Sequence, residues 1–508
     1  MTVDVPVRRG RPGASAPTLP ARWVHRARSA HPAAVVLSGA VVVWIATFAA
    51  LVVNRQDRFW SVDFDMGIYD QAVWLLAHGR QFITVRGLPV FGHHGTFALV
   101  FFVPASWLGA GPDFLNVFQV TVLALGAAPV YLLARERMLG AWAAAALGVA
   151  FLFHPALQFL GWELFHPETL ALTPLLAAYL CSVRRSWRWF ALWVVVAISC
   201  KEDVALAVLV LGLVIALRPG RRAGELRIGL ATIGFAAVWF VLVTQVLLPV
   251  VGGHPAHYEG LYQGVGGSAG GIAEMALRDP GNLTSRLTSS ETGDFAWKLL
   301  APFGLTGLLS PGVLAIGLPQ FVLDAWSDAP WTRAITFHYA ALPLAGVTIA
   351  MVESVAWLVR RIGGAARWLV PAFVLACAFA ATLAWGPSPI GAEYDKGWWP
   401  PNSDTRLAAK RDAIATVPAD ASVSAGYTLV PHLSRRAEIY SFPNPWRPSN
   451  WGYRDQDTRD PHRVNWIVVD RRALGTEDAA LLDAILTNGN FRLVLDRDDL
   501  IVARRVHG

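Results

Sequence analysis

Two carboxylates, Asp63 and Asp65, stand in the run SVDFDMGIYDQAVW of residues 61–74. An ionised carboxylate can take the proton of an acceptor hydroxyl as that oxygen attacks an anomeric carbon. A pair of them can also hold a divalent cation, Mg or Mn, on a phosphate leaving group. The competing reading is a cap on the helix that begins near Gly67. Asp65 is the first candidate for the base and Asp63 the second, and both are candidate cation ligands. Their place gives them weight. An almost wholly apolar stretch, Ala33 to Val53, precedes them, and about 20 residues cross a hydrocarbon core of roughly 30 Å. Charge at the mouth of a membrane bundle is costly unless it is solvated, paired or used.

Four further groups share this character. His93 and His94 close the same polar stretch. Adjacent side chains of an extended chain diverge, so they are not expected to share a metal, and His94 is a candidate phosphate contact. The run GWELFHPE of residues 161–168 sets Glu163, His166 and Glu168 close together as a second acidic centre on the acceptor side. Trp162 offers a face for a sugar, and the alternative role of Glu168 is to cap the helix after Pro167. Lys201, Glu202 and Asp203 interrupt two apolar runs. Lys201 suits a phosphate, whereas the bland reading is a self-compensating cluster. Arg333 and His338 precede a late apolar run. Arginine forms bidentate contacts with phosphate oxygens, and the alternative is an interfacial anchor.

The elements that must carry these groups are membrane helices. Of the 508 residues 54% are hydrophobic and 16% charged, against about 25% charged in a soluble chain. The mean hydropathy is +0.42. After Ala33–Val53, spans are expected near 113–134, 139–159, 168–183, 188–200, 204–217, 227–249, 338–359 and 368–385. A broken hairpin is expected over 297–323, and 97–108 is expected along the interface. Arginines at 8–28, 135/137, 184–188, 218–222 and 360–367 fall in alternate gaps, which the positive-inside rule makes cytoplasmic. The acidic motifs then face outward. This gives about eleven spans, with a cytoplasmic N-terminus and outer loops at 54–96 and 250–296. The net charge of +7 is spread over these gaps, so no nucleic-acid surface is expected.

Residues 1–32 read as a disordered cationic tail. Residues 387–508 lack a span and alternate strands with helices, so a small extracytoplasmic α/β domain is expected. The fold class is mainly α, a polytopic transmembrane helix bundle over 33–386 with that domain appended. Cys181, Cys200 and Cys377 lie in apolar segments and read as buried hydrophobes.

The run of residues 63–74, with His94, the His-Pro-Glu of 166–168, Lys-Glu-Asp of 201–203 and His338-Tyr339, resembles a bacterial integral-membrane family of unknown function grouped with the GT-C glycosyltransferases. The segments PADASVS (418–424) and VNWIVVD (464–470) are similar to that family's C-terminal part. The resemblance covers about residues 36–505. It implies a GT-C-like bundle in the bacterial plasma membrane. The implied enzyme takes a sugar from a polyprenyl-phosphate lipid and gives it to a cell-envelope glycan, lipid or protein on the outer face. The acidic residue of the first outer loop would be catalytic, which carries to Asp65, then Asp63. The alternative function is a transporter or flippase of a lipid-linked or small polar substrate, which would place ionisable groups at mid-membrane within inverted repeats. A non-enzymatic envelope scaffold is the third reading.

Overall fold

The structure is a computed structural model that describes residues 31–253, 257–401, 403–448 and 460–506. All but the last two residues of the expected tail over 1–32 lie outside the described residues.

The chain opens with α1, Pro32–Asp57. Proline leads the helix, where its missing N–H costs nothing, and His31 Nδ1 accepts from the Ala33 N–H at 3.1 Å. With 26 residues, α1 is about 39 Å long at 1.5 Å per residue. Val35, Val36, Val42 and Val43 are all more than half exposed, a surface that suits lipid rather than water.

Among the described residues, five helical segments are long and apolar enough to cross a membrane: α1, Pro112–Glu136, Glu225–Gly252, His338–Ile362 and Ala366–Trp385. A sixth forms if Ala141–Leu152 and Pro155–Trp162, bent by 50° at His154, count as one span. Phe97–Trp107, Pro167–Val183, Trp187–Ile198 and Val204–Ala216 are shorter apolar helices. The helices used below are α2 (Ile68–Ala77), α3 (Pro112–Leu125), α4 (Ala127–Glu136), α5 (Leu172–Val183), α6 (Val204–Ala216), α7 (Glu225–Val241), α8 (Leu318–Trp326) and α9 (Ala341–Ile362). Helices α6 and α7 meet through glycines. A Cβ added to Gly229 would lie 2.7 Å from the Gly212 carbonyl oxygen and from the Ala216 nitrogen. Only a missing side chain lets the two backbones approach so closely.

The C-terminal part carries a five-stranded sheet. A two-residue hairpin, β1 (Phe82–Ile83) with β2 (Leu88–Pro89), precedes it in the first outer loop. The sheet comprises β3 (Val423–Ala425), β4 (Ile439–Ser441), β5 (Trp466–Asp470), β6 (Phe491–Arg497) and β7 (Leu500–Arg505). Its order is β4-β3-β5-β7-β6. The β3 strand runs parallel to β4 and β5, and β7 runs antiparallel to β5 and β6. Alternate residues of β5 serve two cores. Ile467 and Val469 pack with Leu482 and Ile485 of the helix Thr476–Thr487. Trp466 and Val468 join the apolar cluster that continues into the membrane helices.

That second face docks on the segment 63–84, which follows α1 and enters the hairpin. Thr84 Oγ1 donates to the Ile439 carbonyl at 2.6 Å and accepts from the Ile439 N–H at 2.9 Å. The Asp63 N–H donates to the Tyr427 carbonyl at 3.1 Å. Ser434 Oγ donates to Asp70 Oδ2 at 2.6 Å. The loop that holds the acidic pair is therefore clamped between helices and sheet.

Candidate active site

Asp65 sits in a wide helical turn, Asp63–Gly67, that feeds directly into α2. Gly67 is required there, because a Cβ would lie 2.8 Å from Val430 Cγ1 of the docked domain. Such wide turns recur at functional positions in helices.

His166 faces Asp65 from the second outer loop, with its Nε2 3.2 Å from Asp65 Oδ1. The loop is pinned by α3. Gln119 Oε1 accepts from the His166 N–H at 2.8 Å, and Asn116 Oδ1 accepts from the Phe165 N–H at 3.1 Å. The imidazole is turned by its other nitrogen, whose Nδ1–H donates to the Leu164 carbonyl at 2.9 Å. This leaves Nε2 to donate to Asp65. Burial would lower the His166 pKa, but Asp65 and Glu163 outweigh it and push it up to about 10. His166 is thus an imidazolium beside a carboxylate.

A chain of polar contacts leads away from this pair. His338 stacks on His166 with ring centroids 3.9 Å apart. His338 Nδ1 meets Glu163 Oε1 at 2.9 Å and its Nε2 meets Glu168 Oε1 at 3.0 Å. Glu168 Oε1 also accepts from Lys201 Nζ at 2.9 Å, and Lys201 lies 3.3 Å from Asp203 Oδ2. Burial drives Glu163 well above the usual carboxylate range. A protonated Glu163 then donates to His338 Nδ1, and His338 Nε2–H donates to Glu168. Burial opposes charge on Lys201, yet Asp203 and Glu168 outweigh it and hold the ammonium well above its ordinary value. On the far wall His94 Nδ1 contacts Glu202 Oε1 at 2.8 Å, and the Gly95 N–H donates to Glu202 Oε2 at 2.9 Å. Burial would raise Glu202, but His94 and then Lys201 hold it below the usual range.

These groups enclose a cavity of about 210 Å³. Asp65, His94, His166, Glu168, Lys201, Glu202, Asp203 and His338 all line it. Glu163 stands behind them, buried. Two candidates are not brought there. Asp63 is fully buried and faces Ser441 of β4 instead of the cavity. Arg333 is spent on the carbonyls of Ser327 at 2.6 Å and Asp324 at 3.4 Å. The face of Trp162 is covered by the Arg55 guanidinium at 4.2 Å, so it offers no sugar platform.

Sequence reasoning missed Tyr69, Arg86, Gln245 and Tyr262, which also line the cavity. Tyr69 meets the His166 ring edge-on at 5.5 Å. Arg86 is buried and lies over the Phe64 ring. The signal for Arg86 was its position, a cation in a loop that the charge rule places outside.

Asp63 and Asp65 face different surroundings, so they do not form one cation site. The donor atoms that do converge, within 4.8 Å of one another, belong to Glu163, His166 and His338. Glu163 Oε2 has no hydrogen-bond partner among the described residues, so the set has an uncommitted oxygen.

A family model described as "Predicted membrane protein (DUF2079)" matches residues 55–502. The chain belongs to that family. No curated protein matches this DUF2079 chain by sequence. Solved structures similar to it include ArnT from Cupriavidus metallidurans bound to undecaprenyl phosphate. That match has 14% identity and a TM-score of 0.49, over 92% of this chain and 97% of the other. The apo state of the same ArnT gives 14% identity and a TM-score of 0.49, over 91% and 98%. The Archaeoglobus fulgidus oligosaccharyltransferase in complex with Zn and sulfate is similar at 15% identity and a TM-score of 0.37, over 89% of this chain and 71% of that one.

Proposed function

We propose that this DUF2079 protein is a membrane glycosyltransferase that moves a sugar from a polyprenyl-phosphate donor to a cell-envelope acceptor. The observation that carries the reading is Asp65 on the wall of a cavity at the ends of apolar helices, held by a cationic His166 and opposite a charged Lys201. A carboxylate on the cavity wall with a fixed cation behind it is aimed at the cavity, which is what a base requires.

The step is an inverting displacement. The acceptor hydroxyl oxygen forms a bond to the anomeric carbon as the bond from that carbon to the phosphate oxygen breaks. The hydroxyl proton passes to Asp65, and polyprenyl phosphate leaves with the electron pair. Lys201 and Arg86 line the same cavity and offset the charge that grows on the leaving phosphate. Glu168 and Asp203 position Lys201, and His94 positions Glu202. A divalent cation at Glu163, His166 and His338 would require His166 and Glu163 to give up their protons, so it would replace the imidazolium beside Asp65, and two imidazole nitrogens suit Mn or Zn better than Mg. It would supply positive charge near the leaving phosphate. The protein would sit in the bacterial plasma membrane with its N-terminus cytoplasmic and its sheet domain outside.

The test is turnover of polyprenyl-phosphate sugars by purified protein, wild type beside Asp65→Asn. Donor-dependent transfer or hydrolysis that is lost in the variant supports the reading. Equal turnover in both proteins removes Asp65 as the base. Tight donor binding without turnover in either supports a carrier instead.

A further inference from the structure

A second cavity lies far from the first, and its chemistry differs. It has a volume of about 600 Å³ and is lined by Arg137, Arg185 and Arg218 together with Tyr179 and Glu353. Val210, Val214 and Leu217 form an apolar wall. The two cavities are joined by one helix, the segment His338–Ile362. His338 lines the first cavity and Glu353 the second. At 1.5 Å per residue they are roughly 22 Å apart along the axis, so the second cavity opens near the opposite membrane face.

The arginines there are not equally neutralised. Arg137 is bound by both oxygens of Glu353, at 2.9 and 2.8 Å from Nε, and Glu353 also accepts from Tyr179 at 2.7 Å. Arg185 pairs with Glu225 at 2.6 Å. Arg218 has no carboxylate within ion-pair distance among the described residues: it donates to the Ser182 carbonyl at 3.0 Å and to Ser182 Oγ at 2.8 Å and lies 6.0 Å from the centroid of the Tyr179 ring. A guanidinium locked in place by a serine, beside a cavity and without a carboxylate on it, presents fixed positive charge. Below it runs the apolar wall contributed by α6.

We propose that this cavity binds the phosphate headgroup of an anionic phospholipid from the leaflet opposite the candidate active site. Basic pockets between membrane helices on the cytoplasmic side take such headgroups, and guanidinium matches phosphate oxygens in a charge-assisted, bidentate manner. A free inorganic anion would use the arginines alone. A lipid would also use Val210, Val214 and Leu217 for the start of its acyl chains, and the cavity provides both. The inference does not rest on the glycosyltransferase reading.

The experiment uses the full-length protein purified in a neutral detergent. It is titrated separately with phosphatidylglycerol, with phosphatidylcholine of the same chains, and with inorganic phosphate. Binding is read by native mass spectrometry and by thermal unfolding. Saturable binding of phosphatidylglycerol with a raised melting temperature, weakening as salt is added, is the expected result. Arg218→Gln keeps an amide that can reach Ser182 and should weaken binding about tenfold, the scale of one charge-assisted hydrogen bond. Val214→Phe leaves every arginine in place, narrows the apolar wall and should also weaken it. Equal binding of phosphatidylcholine overturns the proposal. So does a full stabilisation by inorganic phosphate, or wild-type affinity for phosphatidylglycerol in both variants.

Discussion

Asp65 and His166 form the unit on which the proposed chemistry turns. Removing the base while keeping its shape isolates its role. Asp65→Asn is expected to lower turnover by about a hundred- to ten-thousand-fold, with the melting temperature and donor binding nearly unchanged. Turnover and thermal unfolding on the same sample check this, and a variant that merely unfolds fails the second readout. Chelation followed by metal replacement addresses Glu163, His166 and His338. Turnover is expected to fall on removal of bound metal and to return with Mn or Zn more fully than with Mg. Full activity in chelator would leave the three side chains as a hydrogen-bonded network alone. Much of this site was legible in the sequence, because its groups are ionisable residues set between apolar runs, where charge is conspicuous. Asp63 stood as the second candidate after Asp65, and the structure turns it away from the cavity. A spacing of two says nothing about which carboxylate a wide helical turn will bury. The charge of Arg333 was visible in the sequence, whereas the Ser327 carbonyl to which it donates was not. Tyr69 stood within the 61–74 run without being singled out and Tyr262 had no motif to mark it, since aromatic residues are ordinary at membrane edges.

The seam between the first outer loop and the C-terminal sheet is the element on which the site depends, and it contains two buried acids. Burial pushes Asp63 up to about 7, and neither of its carboxylate oxygens has a hydrogen-bond partner among the described residues. Burial likewise pushes Asp70 up to about 7, against Ser434. The folded protein therefore keeps protons that the unfolded chain releases above a pH of about 4. The stability these groups contribute is complete below that pH and is lost as the pH rises through about 7. Asp63→Asn mimics the protonated acid. It is expected to raise the unfolding free energy at pH 8 by on the order of a few kcal/mol at most, read as a higher melting temperature, and to change it little at pH 4. An equal effect at both pH values would contradict the assignment. Gly67→Leu is expected to cost about 1–3 kcal/mol through overpacking against Val430, measurable by denaturant or thermal unfolding. The helices of the bundle were read from length and apolar runs, and their positions lie close to those expected. The strand Ile439–Ser441 was not foreseen. It is three residues long, has no alternating pattern, and exists because it pairs in parallel with Val423–Ala425.

The whole molecule is a helix bundle whose outer surface is completed by its own C-terminal domain. The sequence shows the change of character after Gly386, and so the presence of that domain. It does not show the docking, because the contacts join residues far apart in the chain and involve neutral groups such as Thr84 and the Ile439 backbone. Deleting residues 387–508 would uncover Val423-facing apolar surface and orphan the polar groups of the outer loop. The truncated protein is expected to lose donor binding as well as turnover, and to unfold at a lower temperature than the full chain. Retained donor binding would mean that the bundle holds the loop unaided.

The clamp on the first outer loop also has a consequence for the order of events at the ribosome. Asp65 emerges early, yet the partners that fix its loop belong to the last quarter of the chain. Thr84 and Ile439 are separated by 355 residues, and Gln71 and the Arg436 carbonyl by 365. Until residues 427–439 have been made, the loop has none of these partners. A stalled or shortened chain would carry an inserted bundle with an unfinished site. The cell would thereby hold a built-in delay between insertion and function, and the exposed loop would mark incomplete chains for proteolysis.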